Sequence, residues 1–273
     1  MLYGPSGTGK TLISKAAATA NGKAHGKSGG AFIYVKGPEL LNKWVGNSEQ
    51  AVRSLFDAAR EHKLQHGDPA LIFIDEADAL LGARDQGMHT GTAATGVVQQ
   101  FLAEMDGLEE TSSIMILATN RPDIIDPAVT RDGRIDRKVR VTRPTREDSA
   151  KIFDIHLKSR PLAGEGHVER AVNELFADTR IVRDLGDRIY VRLRDMVSGA
   201  MIAGVVEQAT TAAIRRDMSG KSKKASGVTV DDLVFAIDRA QRGVRDTNHG
   251  EVVKELIEAA REMQLAEATR PSA

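Results

Sequence analysis

The residues most able to do chemistry stand near the start of the chain. Gly4-Pro5-Ser6-Gly7-Thr8-Gly9-Lys10-Thr11, followed by apolar Leu12, fits the pattern G-x-x-x-x-G-K-[ST]. Glycines at this spacing let a loop turn backbone N–H groups toward a phosphate chain at a helix N-terminus. In that reading Lys10 neutralises the β and γ phosphates of a nucleotide, and Thr11 ligates Mg²⁺. Farther along, the apolar run Leu71-Ile72-Phe73-Ile74 ends in Asp75-Glu76. A buried strand ending in two carboxylates presents them at the edge of a sheet, where phosphates bind. Asp75 is then the metal-holding residue and Glu76 the base that activates an attacking water. An acidic pair after a strand can also cap a helix, but its place downstream of a phosphate loop favours the site.

Two further segments follow in order. The apolar run at 114–118 ends in Thr119-Asn120, which puts an amide at the same edge to orient the water; a turn before Arg121-Pro122 is the alternative. Thr130-Arg131-Asp132-Gly133-Arg134 then sets two arginines around a turn. Guanidinium groups stabilise the charge of phosphoryl transfer, although surface ion pairs would use the same residues.

These residues need a scaffold that brings strand ends together. Apolar runs at 32–35, 70–74, 114–118 and 138–141 alternate with helix-period segments, as in a parallel sheet with crossover helices. Val52, Leu55, Phe56 and Ala59 mark one face of a helix over 47–64, with Asn47 and Gln50 as a capping box. From about residue 145 helices dominate, at 147–158, 198–217, 230–240 and 251–266. The expected division is an α/β domain over 1–144 and a small helical lid over 145–273. Within the lid, 160–194 reads as an insertion with a short strand at 188–193. Residues 21–30 and 219–227 read as exposed loops.

Composition narrows the partners. The 38 basic and 38 acidic residues cancel, so there is no electrostatic footprint for a polyanion, and nucleic acid is a poor candidate. The absence of cysteine removes disulfides and thiolate chemistry and suits a cytoplasmic setting. No apolar run is long enough to span a membrane. His62-Lys63-Leu64-Gln65-His66 lacks the glutamate of H-E-x-x-H, so the chain is not expected to cut peptides itself.

Taken in order, the phosphate loop, Asp75-Glu76, Asn120 and the paired arginines resemble the AAA family of P-loop ATPases, over residues 2 to about 240. The resemblance implies an α/β core with a parallel sheet plus a helical lid. It also implies a ring, usually a hexamer, in which Arg131 and Arg134 act as fingers on the neighbouring subunit's nucleotide. Asp132 stands where the family commonly has proline, so a less rigid finger turn is expected. Asp106-Gly107-Leu108 resembles the family's inter-subunit signalling element, a segment that a helix-ending glycine explains equally well. His156 falls where the family places a histidine near ribose and adenine. Gly199 and Ala200, after Ser198, match a helix start where backbone approaches the base.

Lys43-Trp44-Val45-Gly46 resembles the aromatic pore loop of protein-unfolding AAA motors, which grips an extended polypeptide. Residues 36–46 and 195–209 are most similar to the bacterial proteasome-associated ATPases, the group called AAA ATPase forming ring-shaped complexes. That likeness implies protein substrates and a proteasome core particle as partner, with a protease-independent remodeller as the alternative. A nucleic-acid-directed AAA ATPase is a weaker one. The group's upstream coiled coil and barrels and its tyrosine-containing tail are not among these residues. Because the chain opens just before the phosphate loop, a truncated start is expected, with most of the first strand missing and its neighbours' edges unpaired.

Overall fold

The computed structural model describes residues 1–24, 26, 30–41, 48–82, 92–107, 113–186, 189–219, 226–245, 250, 252–254 and 257. Chain contacts divide it into two compact units, Met1–Thr142 and Arg143–Ala273.

The first unit is built on a parallel sheet of β1 (Leu2–Tyr3), β2 (Phe32–Lys36), β3 (Ala70–Asp75), β4 (Ser113–Thr119) and β5 (Val139–Arg140). Their order across the sheet is β2-β3-β4-β1-β5. β3 carries the unbroken apolar run because both of its faces are covered: Ala70 to Ile74 are at most 1% exposed. Successive side chains point to opposite faces. Leu71 and Phe73 pack with Ala18 of α1 (Lys10–Ala24). Ala70, Ile72 and Ile74 join Val52 and Phe56 of α3 (Ser48–His66) and Phe101 of α5 (Thr92–Asp106). Two five-residue helices, α2 (Gly37–Leu41) and α4 (Ala77–Leu81), follow directly on β2 and β3.

One expectation changes. α1 continues through Ala24, so the loop expected from residue 21 starts later; Asn21 Nδ2 donates to the Pro69 carbonyl at 3.1 Å and ties down the last turn. α3 begins at Ser48, and the expected cap Asn47 lies outside the described residues. The first strand is short, as expected. Leu2 and Tyr3 pair with Ala118 and Thr119 on one side and with Val139 and Arg140 on the other. Residues Ser113–Leu117 of β4 therefore pair with β3 alone. Beside them lies a cavity of about 810 Å³, lined in part by Ile114, Met115, Ile135 and Val139.

The second unit holds α6 (Arg146–Leu157), α7 (His167–Leu175), a hairpin of β6 (Ile181–Asp184) and β7 (Tyr190–Arg192), α8 (Gly199–Ser219) and α9 (Val230–Arg245). α6 starts at a reciprocal capping box between Thr145 and Asp148. The segment 160–194, expected as an insertion, is part of the core. Ala171, Val172, Leu175, Val191 and Leu193 are buried with Phe153, Ile202 and Ile237. Its helix is only nine residues long, and its strands are three or four, too short to give a clear period in the sequence. Val252, within the last expected helix, packs in the same core. Among the described residues no helix is long and apolar enough to cross a membrane.

Candidate functional site

The carboxyl ends of β1, β3 and β4 lie side by side, and the chain leaves them at Gly4, Glu76 and Asn120. Gly4 has φ 140°, and a Cβ there would stand 2.2 Å from the Val141 carbonyl oxygen, so only glycine fits where the loop leaves the sheet. Thr8 Oγ1 donates to the Pro5 carbonyl at 2.8 Å and braces the loop across its width. Ser6 is exposed, Gly7 and Gly9 are half-buried, and Leu12 is 72% exposed on α1.

Lys10 is buried at the first position of α1. Its Nζ donates to the carbonyls of Gly4 at 2.8 Å and Pro5 at 2.9 Å and to Asn120 Oδ1 at 2.7 Å. The ammonium thus links the loop to the end of β4. One residue on, Thr11 Oγ1 donates to Asp75 Oδ2 at 2.9 Å, while Asp75 Oδ1 accepts from the Glu76 N–H at 3.0 Å. A hydroxyl beside a carboxylate is a hard-oxygen donor set, the kind Mg²⁺ prefers. The expected residues Lys10, Thr11, Asp75 and Asn120 are therefore brought together.

Glu76 is exposed and takes the left-handed conformation, φ 51° and ψ 43°, among the described residues the one non-glycine with positive φ. Such a residue costs about 1–3 kcal/mol and persists where its surroundings over-determine it. Here its carbonyl accepts from Ala79 N–H at 3.0 Å and packs against Gly37, where a Cβ would stand 2.4 Å from that oxygen. Gly37 is a site-shaping residue the sequence reading missed; a glycine directly after a strand was its signal. Tyr34 reports the local charge. Burial, then the negative charges of Asp75, Glu39 and Glu76, raise its phenol above the usual range.

Thr119 and Asp78 were also missed as a pair. The buried Thr119 hydroxyl donates to Asp78 Oδ1 at 2.7 Å and accepts from the Arg121 N–H at 2.9 Å. The signal available was Asp78 itself, three residues after Asp75.

The two arginines differ. Arg134 donates through Nε and Nη2 to both carboxylate oxygens of Asp106, at 2.7 and 2.6 Å, and through Nη1 to the Ala128 carbonyl at 2.7 Å. Arg131 is exposed, and among the described residues its side chain forms no hydrogen bond or ion pair. The pairing of Arg134 with Asp106 was not foreseen, because it joins two segments far apart in sequence.

In the second unit His156 is half-buried near the end of α6. Gly199 and Ala200 open α8, with Ser198 Oγ accepting from the Met201 N–H at 3.1 Å. Lys43, Trp44, Val45 and Gly46 lie outside the described residues. His62 and His66 face each other with ring centroids 4.5 Å apart, but the described residues contain no cluster of three or more ligands for a metal ion.

Residues 1–143 match the family described as "ATPase family associated with various cellular activities (AAA)". The chain belongs to the AAA family of ATPases. Residues 144–263 match the AAA lid described as "ARC, AAA+ ATPase lid domain". This AAA chain is 42% identical over 246 residues to a Corynebacterium glutamicum protein called "AAA ATPase forming ring-shaped complexes", covering 87% of this chain and 46% of that one. A Bifidobacterium adolescentis protein of the same name is 39% identical over 258 residues, covering 90% and 49%. A "Proteasome-associated ATPase" of Acidimicrobium ferrooxidans is 37% identical over 265 residues, covering 87% and 45%. The AAA chain spans about half the length of these relatives. Its AAA domain is a nucleotide-binding one, and the phosphate loop with its buried lysine fits that ligand.

Proposed function

We propose that this AAA protein hydrolyses Mg-ATP as a subunit of a homo-oligomeric ring, a hexamer, and uses the cycle to pull on protein substrates. The observation that carries the reading is the meeting of Lys10, Thr11, Asp75 and Asn120 at one sheet edge, beside Glu76.

Gly4 to Leu12 bind the nucleotide, with the loop's backbone N–H groups and Lys10 taking up phosphate charge. When bound, Mg²⁺ neutralises phosphate charge and orients the leaving group. Thr11 and Asp75 are the residues that hold it. Glu76, exposed at the strand end, accepts the proton of the attacking water, and the Asn120 amide orients that water. Arg131 and Arg134 supply positive charge to the neighbouring subunit's nucleotide. His156, Gly199 and Ala200 keep a role toward ribose and adenine that rests on the family resemblance alone.

Lys43 to Gly46 form the polypeptide-gripping loop, again from resemblance. The domain assignment follows the same division of labour, with catalysis in 1–144 and a lid in 145–273. The name of the Acidimicrobium relative supports a proteasome as downstream partner, with its core particle the part that would receive the substrate; a cytoplasmic setting goes with a sequence that has no cysteine. A protease-independent remodeller is the second reading, for which the Corynebacterium and Bifidobacterium relatives, named for ring-shaped complexes, support the ring alone.

Light-scattering mass of the Glu76→Gln chain with and without Mg-ATP tests the assembly. A shift to about six subunits on ATP addition is expected for ligand-stabilised assembly. A monomer in both conditions contradicts ring formation by this chain.

A further inference from the structure

Thr119 touches all three segments of the site. Its carbonyl accepts from the Gly4 N–H at 3.3 Å, where the phosphate loop begins. Its hydroxyl donates to Asp78 Oδ1 and accepts from the Arg121 N–H, at 2.7 and 2.9 Å, and the residue is 1% exposed. A buried hydroxyl that uses both its proton and a lone pair has its rotor fixed, and a carboxylate acceptor makes the stronger kind of hydrogen bond.

What this holds in place follows from the neighbours. Asp78 lies in the first turn of α4, two residues after Glu76. That helix has only five residues, too few to fix its own orientation, and Glu76 at its start makes no side-chain cap bond. The Thr119–Asp78 bond is the polar tether between the start of α4 and β4. On the other side, the bond to Arg121 pins the residue after Asn120, whose amide oxygen accepts from Lys10.

We infer that Thr119 and Asp78 form a positioning pair, in which one buried hydroxyl sets the Glu76 segment and the turn after Asn120 relative to one another, on a residue whose carbonyl also holds the start of the phosphate loop. The inference rests on the proposed roles of Glu76 and Asn120 in ATP hydrolysis. A threonine serving only to fill the core would be replaced by valine at a cost in stability alone. A positioning threonine loses turnover while binding persists, because small displacements of reacting groups cost large factors in rate.

The experiment uses the full chain with Thr119→Val, Thr119→Ser and Asp78→Ala. It measures phosphate release against ATP concentration and amide hydrogen exchange over residues 76–79 and 116–124. Expected for Thr119→Val is a kcat at least about tenfold lower with KM within about threefold, and for Thr119→Ser a kcat within about threefold of the parent. Exchange at Arg121 and over 76–79 should quicken in the valine variant and stay at the parent rate in the serine one. Asp78→Ala leaves β4 intact and carries the same expectation for kcat and KM should the valine variant fail to fold. An unchanged kcat in Thr119→Val and Asp78→Ala overturns the inference, and so do equal losses in valine and serine or a rise in KM that accounts for the whole effect. A parent that binds ATP without hydrolysing it contradicts the proposed function instead. The pair is then decided by exchange alone, and unaltered protection in Thr119→Val overturns it.

Discussion

Arg134 and Asp106 are joined by a two-point ion pair within one subunit, at 2.7 and 2.6 Å, while Arg131 three residues earlier is exposed and unpaired among the described residues. The Arg134 guanidinium holds the Asp106 carboxyl below the usual carboxylate range. The two arginines therefore have separable jobs. Arg131→Ala is expected to stop turnover without moving the melting temperature. Arg134→Ala is expected to stop turnover and also lower the melting temperature, since it leaves Asp106 and the Ala128 carbonyl without their donor. Thermal melts beside phosphate-release assays on both variants check this.

Glu76 and Lys10 should separate hydrolysis from binding. Glu76→Gln keeps size and shape but cannot accept a proton, so turnover falls about 10² to 10⁴-fold with ATP binding retained. Lys10→Ala removes the ammonium that bridges the loop and Asn120, so binding itself is lost. Equilibrium binding of a fluorescent ATP analogue, read alongside turnover, distinguishes the two.

Gly37 is expected to matter through the Glu76 backbone it packs against. A methyl group there would sit 2.4 Å from the Glu76 carbonyl oxygen, a backbone atom that cannot swing aside. Gly37→Ala should displace the strained Glu76 and lower kcat at least about tenfold. Equal kcat in the alanine variant and the parent would show that the strand end adapts.

The lid has its own pH dependence. Burial of Asp232 by itself would raise its carboxyl, but the Arg216 guanidinium and the Thr229 N–H and hydroxyl hold it below the usual range. A carboxyl lowered in the folded state contributes stability that is complete well above the unfolded value of about 3.9 and is lost as pH falls through it toward the folded one. The melting temperature of the lid should accordingly be flat near neutrality and drop below about pH 4.5. Asp232→Asn should melt lower near neutrality and lose that part of the acid dependence, as melts between pH 3 and 7 would show.

Much of this architecture was legible in the sequence because it depends on local pattern. The run from Ala70 to Ile74 reads as a buried strand and is one, and the Gly4 to Thr11 loop announced both a turn and a helix start. The approach of Thr11 to Asp75 followed from the order of strand ends in such a sheet. What was not legible depends on long-range partners. Thr119 reads as an ordinary strand residue until Asp78, 41 positions earlier, is placed beside it. Arg134 reads as a free finger until Asp106, 28 positions earlier, is found on its guanidinium. Within 160–194 the strand β7 falls inside the expected strand at 188–193, whereas α7 and β6 escaped because their apolar residues are few per element and become a core only when packed on α6, α8 and α9.

The central claim is hydrolysis at a site completed by the neighbouring subunit's arginine, and mixing two inactive chains tests it most directly. Glu76→Gln keeps Arg131, and Arg131→Ala keeps Glu76, so a mixed ring contains interfaces at which an intact Glu76 faces an intact Arg131. The account predicts that ATP turnover, near background for each variant alone, rises clearly above both when the two are mixed and allowed to reassemble. Turnover that stays at background in every mixture, with nucleotide binding and assembly retained, would contradict it.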